Sequence, residues 1–430
     1  MSHKQKGVAA NMASCNESKS PRFINYQRAP ASEKSQAFVA DMIQSLLTYE
    51  AAYAPRVRSR KQKDQGNFEK QATAIISDLC QDVLSDGAGL LVQRSHRVFQ
   101  SRSRYQPPFL TKKVIDLINL LVAAGKVSQT LGERNPFGRN TATLLKPTKA
   151  FAQSVLSSEL SLSDFHKAAP QETIILKAAK GDYWDDPKLL SYSDSELTNR
   201  YRHEMWLINE WLAESDIGFE YPWMIEGSVD SSDRCLSRIF VGSFDQCGRL
   251  YGGFWQPLKK DVRKAGVRIK GQPVTVLDFG QMIVRLAYAR VGAEPPEGDS
   301  YAIKPFGERY REGFKTLISA MLFSAKPITK KPKGTGEKLP KQKAEVLCQR
   351  VAEAHPAISS LFHTGVGLQL MHNESEILVE LMLQLRSMSI PALPIHDAVA
   401  VADTDANATR EVMMSTFLRR TGITPIIRYE

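Results

Sequence analysis

Near the C-terminal end, a short stretch places a carboxylate in the middle of an otherwise apolar strand. Residues 391–402 have the sequence PALPIHDAVAVA, whose apolar side chains predict a strand buried on both sides. Asp397 lies at its centre, next to His396. A buried carboxylate is costly unless it finds a proton, a counter-charge or a metal ion. The alternative is that Asp397 and Ala398 form the tip of a hairpin, with the carboxylate in water.

The length and charge of the chain limit its class. Its 430 residues predict two or three domains, and its net charge of +11 favours a polyanionic partner, most simply nucleic acid. The five cysteines form no CxxC pair, which argues against a disulfide framework or a zinc ribbon and fits a reducing cytosol. No apolar run is as long as a membrane span. We therefore expect a soluble cytoplasmic protein with no membrane partner; no protein partner is indicated.

The N-terminal part of the chain predicts a tail and a small module. Residues 1–35 are polar and predict a disordered tail. Within residues 36–150, a helix capped by Thr111 and ended by Gly125 precedes a basic two-stranded hairpin, an order that resembles a winged helix-turn-helix. The resemblance implies DNA binding by four basic side chains: Lys112, Lys113, Arg134 and Arg139. The alternative is a helix and hairpin that serve only as a protein contact.

A second acid occurs in a matching setting far upstream. After a helical linker or thumb-like region at residues 151–234, the strand Val274–Leu277 ends in Asp278 and leads directly into a helix closed by Gly292. Two carboxylates on adjacent buried strands repel each other unless a cation lies between them. Magnesium, held by carboxylates and substrate phosphates, meets that need.

A basic helix and a basic loop lie between the two acids in the chain. Four side chains repeat at every fourth position and share one helical stripe: Arg311, Lys315, Ser319 and Phe323. Two cations followed by an aromatic ring suit the phosphates and base of a nucleoside triphosphate. Residues 326–343 then form a Pro/Gly-rich basic loop, which we expect to be mobile and which is either solvated or bound to a nucleic-acid backbone.

These segments, in this order, resemble the family A DNA polymerases over residues 235–430. The segment Asp278 to Arg285 is similar to motif A, the stripe from Arg311 to Phe323 to motif B, and Ile395-His396-Asp397 to motif C. Gly248-Arg249, with Gln256, resembles the segment upstream of motif A. The resemblance implies an α+β fold: the helical and winged-helix module, then a palm-like antiparallel sheet with packed helices and a reduced fingers subdomain.

The resemblance also implies the roles of the site residues. Asp278 and Asp397 would hold two Mg²⁺ ions, with Mn²⁺ as an alternative. Lys315 would protonate the pyrophosphate, and the remaining substrate contacts would come from Arg311, Phe323, Gln281, Arg285, His396 and Ser319. Arg249 and Gln256 would hold the primer–template backbone. The implied partners are a DNA primer–template and nucleoside triphosphates.

Two departures from the family pattern leave two hypotheses. Ala398 stands where the DNA polymerases usually have Glu after the motif C Asp, and Ile283 replaces a Glu that excludes the ribose 2′-hydroxyl. The first hypothesis is a template-directed nucleotidyltransferase, either a DNA polymerase or a primase-like enzyme that makes RNA. The alternative is a non-catalytic DNA-binding replication or regulatory protein with a degenerate palm. Retention of both acids favours the enzyme, because a scaffold gains nothing from buried like charges.

Overall fold

The structure is a computed structural model of the whole chain. It describes residues 20–430 apart from 96–98, 100–102, 134–140, 169, 171, 180–187 and 221–228. The chain divides into two compact units. The N-terminal unit comprises Met1–Arg102 and Pro108–His166, and the C-terminal unit comprises Ser103–Pro107 and Lys167–Glu430. The change from one unit to the other thus falls within residues 151–234, the expected linking region.

The N-terminal unit combines helices with short strands. Its elements, in chain order, are β1 (Arg22–Phe23), β2 (Arg28–Pro30), α1 (Glu33–Tyr53), α2 (Gln62–Leu84), β3 (Leu90–Val92), α3 (Val114–Ala123), β4 (Val127–Thr130), β5 (Thr143–Pro147), α4 (Lys149–Ser157) and β6 (Phe165–Lys167), whose last residue belongs to the other unit. The four-stranded sheet has the order β1-β3-β5-β4, and β2 pairs with β6.

The predicted helix and hairpin of this unit are both present. The helix α3 buries Val114, Leu117 and Ile118, and it is followed by β4 and β5, which pair antiparallel. Gly125, just after the helix, has a φ of 66°, a conformation that glycine adopts without strain. The turn carrying Arg134 and Arg139 lies outside the described residues. The winged-helix assignment therefore stays a prediction.

Residues 20–35 differ from the expected disordered tail, whose first 19 residues lie outside the described part of the chain. They form β1, β2 and the start of α1, because their polar groups bind a buried carboxylate of α2. Arg22 Nη1 lies 2.9 Å from Asp78 Oδ2, and the Asn25 backbone N–H donates to the same oxygen at 2.7 Å. Arg28 Nε lies 3.6 Å from Asp78 Oδ1. Asp78 is fully buried, so its charge is balanced within the unit.

The C-terminal unit holds a larger set of strands and helices. They are β7 (Ile174–Lys177), α5 (Glu196–Glu214), β8 (Ile217–Phe219), β9 (Ser237–Val241), β10 (Ser243–Tyr251), α6 (Lys260–Gly266), β11 (Val267–Ile269), β12 (Val274–Gly280), α7 (Met282–Val291), α8 (Arg311–Phe323), α9 (Ala344–Ala354), α10 (Gly367–Ser387), β13 (Ala392–Ile395), β14 (Ala398–Ala402), α11 (Ala406–Thr421) and β15 (Ile426–Tyr429).

A four-stranded antiparallel sheet forms the floor of this unit, in the order β13-β14-β12-β15. Helix α11 packs on β12, β14 and β15, and α10 packs on β13 and β10. The strands are rich in small and branched apolar residues; Leu277, Val399 and Val401 are fully buried. Burial of each such side chain stabilises the fold by roughly 1.5–3 kcal/mol. The whole chain is thus a mixed α+β protein, and no helix among its described residues is both long and apolar enough to cross a membrane.

Candidate active site

Asp278 and Asp397 lie next to each other on this sheet. Residues 391–402 form a hairpin rather than one continuous strand, and His396–Asp397 is its two-residue turn between β13 and β14. In the sheet, Asp278 pairs with Ala398, the residue after Asp397. The backbone N–H of Phe279 donates to the Asp397 carbonyl at 3.2 Å. The hairpin alternative is therefore correct in outline, with its turn one residue earlier and with Asp397 half-buried.

The turn itself is unusual. His396 has a φ of 58° at the first position of a two-residue hairpin loop, where a positive φ strongly favours glycine. A side chain in this region costs on the order of 1–2 kcal/mol. The His396 side chain is exposed and lies edge-to-face against the Tyr251 ring, with a centroid separation of 5.7 Å. Partial desolvation of the ring and, after it, the Arg249 guanidinium lower the pKa of His396, although the residue keeps much of its surface exposed.

Asp278 has charges of both signs around it. Burial raises its pKa, the carboxylates of Asp397 and Glu430 add to the rise, and Lys315 and Arg428 oppose it; the resulting pKa is about 6. An acid whose pKa is raised by another acid is a place where a bound cation is favourable. The donor set, two carboxylates, is of the oxygen type that Mg²⁺ prefers. No group of three or more His, Cys, Asp or Glu that could hold a metal ion occurs among the described residues.

A third carboxylate, Glu374, lies close to the pair and was not singled out from the sequence. It is only 2 % exposed, on α10, and accepts from Arg249: Nε to Oε1 at 2.5 Å and Nη2 to Oε2 at 2.9 Å. Burial raises the pKa of Glu374, Arg249 lowers it, and Asp397 and Asp278 raise it; the resulting pKa is about 7. One sequence feature could have identified Glu374: it is an acid on the apolar face of a helix, four residues after Leu370 and four before Leu378.

Arg249 and Gln256 both form hydrogen bonds within the chain. Arg249 lies on β10, and its guanidinium is fixed by Glu374. The Gln256 side-chain amide donates to the carbonyls of Leu250 and Pro394 at 3.0 and 3.1 Å, and it accepts from the Gly252 N–H. Gln256 therefore ties β10 to the hairpin that carries Asp397. Its role toward a primer–template stays a prediction.

The stripe on α8 forms as expected. Its opposite face buries Phe314, Leu317 and Ile318, so the four stripe residues are exposed or half-buried. Lys315 is exposed and lowers the pKa of Asp278, which places its charge near that carboxylate. Arg311 is already paired with Asp299 and, at 2.6 Å, with Glu312.

At the far end of the stripe, a glycine makes room for an aromatic ring. The Phe323 ring packs so closely on Gly367 that a Cβ there would lie 2.5 Å from it. Phe323 is 37 % exposed, and Ser319 is half-buried one turn before it.

Gln281 and Arg285 turn to the surrounding loops. Gln281 is buried; its Nε2 donates to the Gly298 carbonyl at 3.3 Å, and its Oε1 accepts from the Ser300 N–H at 3.2 Å. Arg285 Nη1 donates to the Thr424 carbonyl at 2.7 Å. Both side chains thus join the N-terminal part of α7 to the backbone of other segments, and their contact with a substrate stays a prediction.

The basic residues predicted in the N-terminal unit are described only in part. Lys112 is exposed, and Lys113 Nζ lies 3.1 Å from Asp116 Oδ2 on the first turn of α3. Arg134 and Arg139 lie outside the described residues. Nucleic-acid binding by this set is therefore untested by the structure.

Comparison with known proteins identifies no family. No family model matches the chain, and no curated protein matches it. One similar solved structure is the POL domain of Pol1 from M. smegmatis, in complex with DNA primer-template and dNTP. The TM-score is 0.32 at 10% identity; the alignment covers 94% of this chain and 66% of that chain. A likeness at this level leaves the assignment of function to the chain's own residues.

Proposed function

We propose that the C-terminal unit is a template-directed nucleotidyltransferase of reduced family A type, adding nucleotides to a primer with divalent magnesium. The observation that carries the proposal is the pair Asp278 and Asp397. The two acids lie side by side on neighbouring segments of one sheet, each half-buried, and Asp397 raises the pKa of Asp278. Such a pair costs folding free energy unless a cation is bound.

The residues around the pair suit this reaction. Asp278 and Asp397 would hold the metal ions, which when bound neutralise charge on the attacking and leaving oxygens. Lys315, near Asp278, would donate its proton to the pyrophosphate as the bond to the α-phosphorus breaks. Arg311 would bind the β- and γ-phosphates after release from Asp299. The exposed ring of Phe323 would stack on the base.

Primer extension by the full chain, with dNTPs and NTPs offered separately, tests this function. Asp278→Asn and Asp397→Asn should each lower the rate about 10³-fold, because several kcal/mol of charge stabilisation in the transition state are lost. Asp261→Asn, which removes an exposed acid at the start of α6, is the matched control and should leave the rate unchanged. Extension that survives Asp397→Asn would exclude a two-metal mechanism.

Two observations favour the alternative, a non-catalytic DNA-binding protein with a degenerate palm. Arg311 is held by Asp299 and Glu312, and the position after Asp397 is a buried alanine rather than a further acid. This alternative predicts salt-dependent DNA binding without extension of any primer by either class of nucleotide.

The N-terminal unit is proposed to bind DNA as a winged helix. The support is the order of α3, β4 and β5, the sheet order β3-β5-β4, and the exposed Lys112. Replacing Lys112 and Lys113 with Gln in the full chain should reduce the salt dependence of duplex binding by about one unit per lost phosphate contact. An unchanged slope would contradict the proposal.

A further inference from the structure

A lysine-rich segment lies against the helix that carries Arg311 and Lys315. The lysine segment, residues 326–343, contains seven lysines and a single acid, Glu337. Six of these lysines are exposed: Lys326, Lys330, Lys333, Lys338, Lys341 and Lys343. A solvated linker of this composition would have no reason to pack.

The lysine segment is nevertheless folded onto the unit. Thr335 and Leu339 are 1 % and 2 % exposed, and Gly336–Lys338 is a short 3-10 helix. Lys331, the half-buried lysine, donates to the Pro340 carbonyl at 2.6 Å and thereby joins the two ends of the segment. The packed residues hold the backbone, so the six exposed side chains extend from a fixed support.

The segment runs back along α8. It begins soon after Phe323, the last residue of that helix, yet the Lys338 carbonyl lies against Gly313 in the first turn. A Cβ on Gly313 would lie 1.8 Å from that oxygen, so only glycine permits the approach. A helix of this length extends about 20 Å. That distance spans about six phosphates of a stacked strand at ~3.4 Å each.

The six exposed lysines have no acidic partner in the part of the chain that the structure describes. None of these lysines forms an ion pair with another described residue. Some exposed cations of the same unit do: Arg419 and Arg420 pair with Glu380, Lys260 with Glu430 and Lys270 with Asp405. Six cations on a fixed backbone, with no such pair among the described residues, gain from counterion release on a polyanion.

We infer that the lysine segment is the docking surface for a single nucleic-acid strand, held by its phosphates alongside α8. A single strand is favoured over a duplex because the segment begins three residues after Phe323, a ring that is partly exposed, and basic surfaces with an aromatic platform suit unpaired bases. The inference rests on the proposed function only in naming this strand the template. Binding itself requires no catalysis.

The test is fluorescence anisotropy of the full chain with a labelled oligo-dT strand and with a duplex hairpin of the same number of nucleotides, over a salt series. Changing the six exposed lysines to Gln should make the slope of log K against log salt shallower by about 0.7 per lost contact, or about 4 in all, on the single strand. The matched control removes the same charge from six exposed lysines elsewhere in the unit: Lys188, Lys259, Lys260, Lys264, Lys270 and Lys304.

Three results would overturn the inference: an unchanged slope, an equal loss in the control variant, or a larger effect on the duplex. A third variant, with the six lysines changed to Arg, keeps the charge and should bind as the parent does. Its failure to bind would mean that the segment acts through its fold rather than its charge. Segment-dependent binding without primer extension would refute the proposed catalysis alone, and extension with unaltered binding would refute this inference alone.

Discussion

Asp78 in the N-terminal unit and Asp278 in the C-terminal unit are both removed from solvent at least in part, but their charged neighbours differ. Asp78 is fully buried and meets Arg22, Arg28 and a backbone N–H. Asp278 is half-buried and has Asp397 and Glu430 among its neighbours. The first arrangement balances the buried charge and stabilises the fold. In the second, Lys315 and Arg428 offset the repulsion between the carboxylates only in part, because the pKa of Asp278 stays raised, and a bound cation would offset it further. The surroundings of an acid, more than its burial, therefore distinguish a structural carboxylate from a candidate functional one.

The largest effect on folding should come from Asp78→Asn. Removing this charge breaks the ion pairs that the buried Asp78 forms with Arg22 and Arg28, and it should lower the free energy of opening of α2 by about 3–5 kcal/mol. Hydrogen exchange of the α2 amides measures it in the full chain. The exposed Asp64→Asn on the same helix is the control and should stay within about 0.5 kcal/mol. Equal effects of Asp78→Asn and Asp64→Asn on the free energy of opening would mean that the ion pairs of Asp78 do not stabilise the fold.

Asp278→Asn should act in the opposite direction. Because it relieves repulsion from Asp397, it should raise the local free energy of opening by about 1 kcal/mol at neutral pH without added metal. Hydrogen exchange of the β12 and β14 amides provides the measurement. A loss of protection in these strands would mean that Asp278 is a structural acid, as Asp78 is.

The raised pKa of Asp278 should also make the stability of the protein depend on pH. The folded pKa of Asp278, about 6, is raised above its usual value, so the folded state holds the proton more tightly than the unfolded state. The resulting stabilisation is fully present at low pH, below the unfolded pKa, and is lost as pH rises to about 6. The loss should be on the order of 1–2 kcal/mol after solvent screening. Subtracting the profile of Asp278→Asn isolates it, and identical profiles would refute it.

The smallest effect should come from the turn. His396→Gly removes the strain of a positive φ and should stabilise the hairpin by up to about 1 kcal/mol in thermal unfolding, while primer extension falls. Lys270→Gly is the control, since Lys270 also has a positive φ, of 52°, beside β11. It should stabilise similarly and leave extension unchanged. Full activity of His396→Gly would show that the histidine is dispensable.

Sequence patterns predicted the local elements well and the long-range pairings less well. The helical periodicity of α3 and α8 and the strand that carries Asp278 are readable because each depends on neighbouring residues, although that strand continues to Gly280, two residues past its expected end. The strands β1 and β2 were missed because their polar residues are held by Asp78, more than fifty positions away in the chain. The hairpin alternative placed the turn one residue too late, because nothing in an apolar run signals a positive φ on a histidine.

The sequence analysis proposed the two acids of the candidate site, but it did not identify the residues that surround them. Asp278 and Asp397 could be inferred from carboxylates in apolar strands, which are rare enough to require a reason. Glu374 was not inferred as part of the site, because its pairing with Arg249 joins α10 to β10 across a tertiary contact that no local pattern encodes.

The close contact between Gly313 and the Lys338 carbonyl has a mechanical consequence. Since the two backbones touch with no side chain between them, α8 and the lysine segment must shift together. A tilt of the helix that brings Lys315 toward a triphosphate would displace a strand held by the lysines in the same movement. Binding of the nucleotide and displacement of the strand would then both result from the same movement of α8.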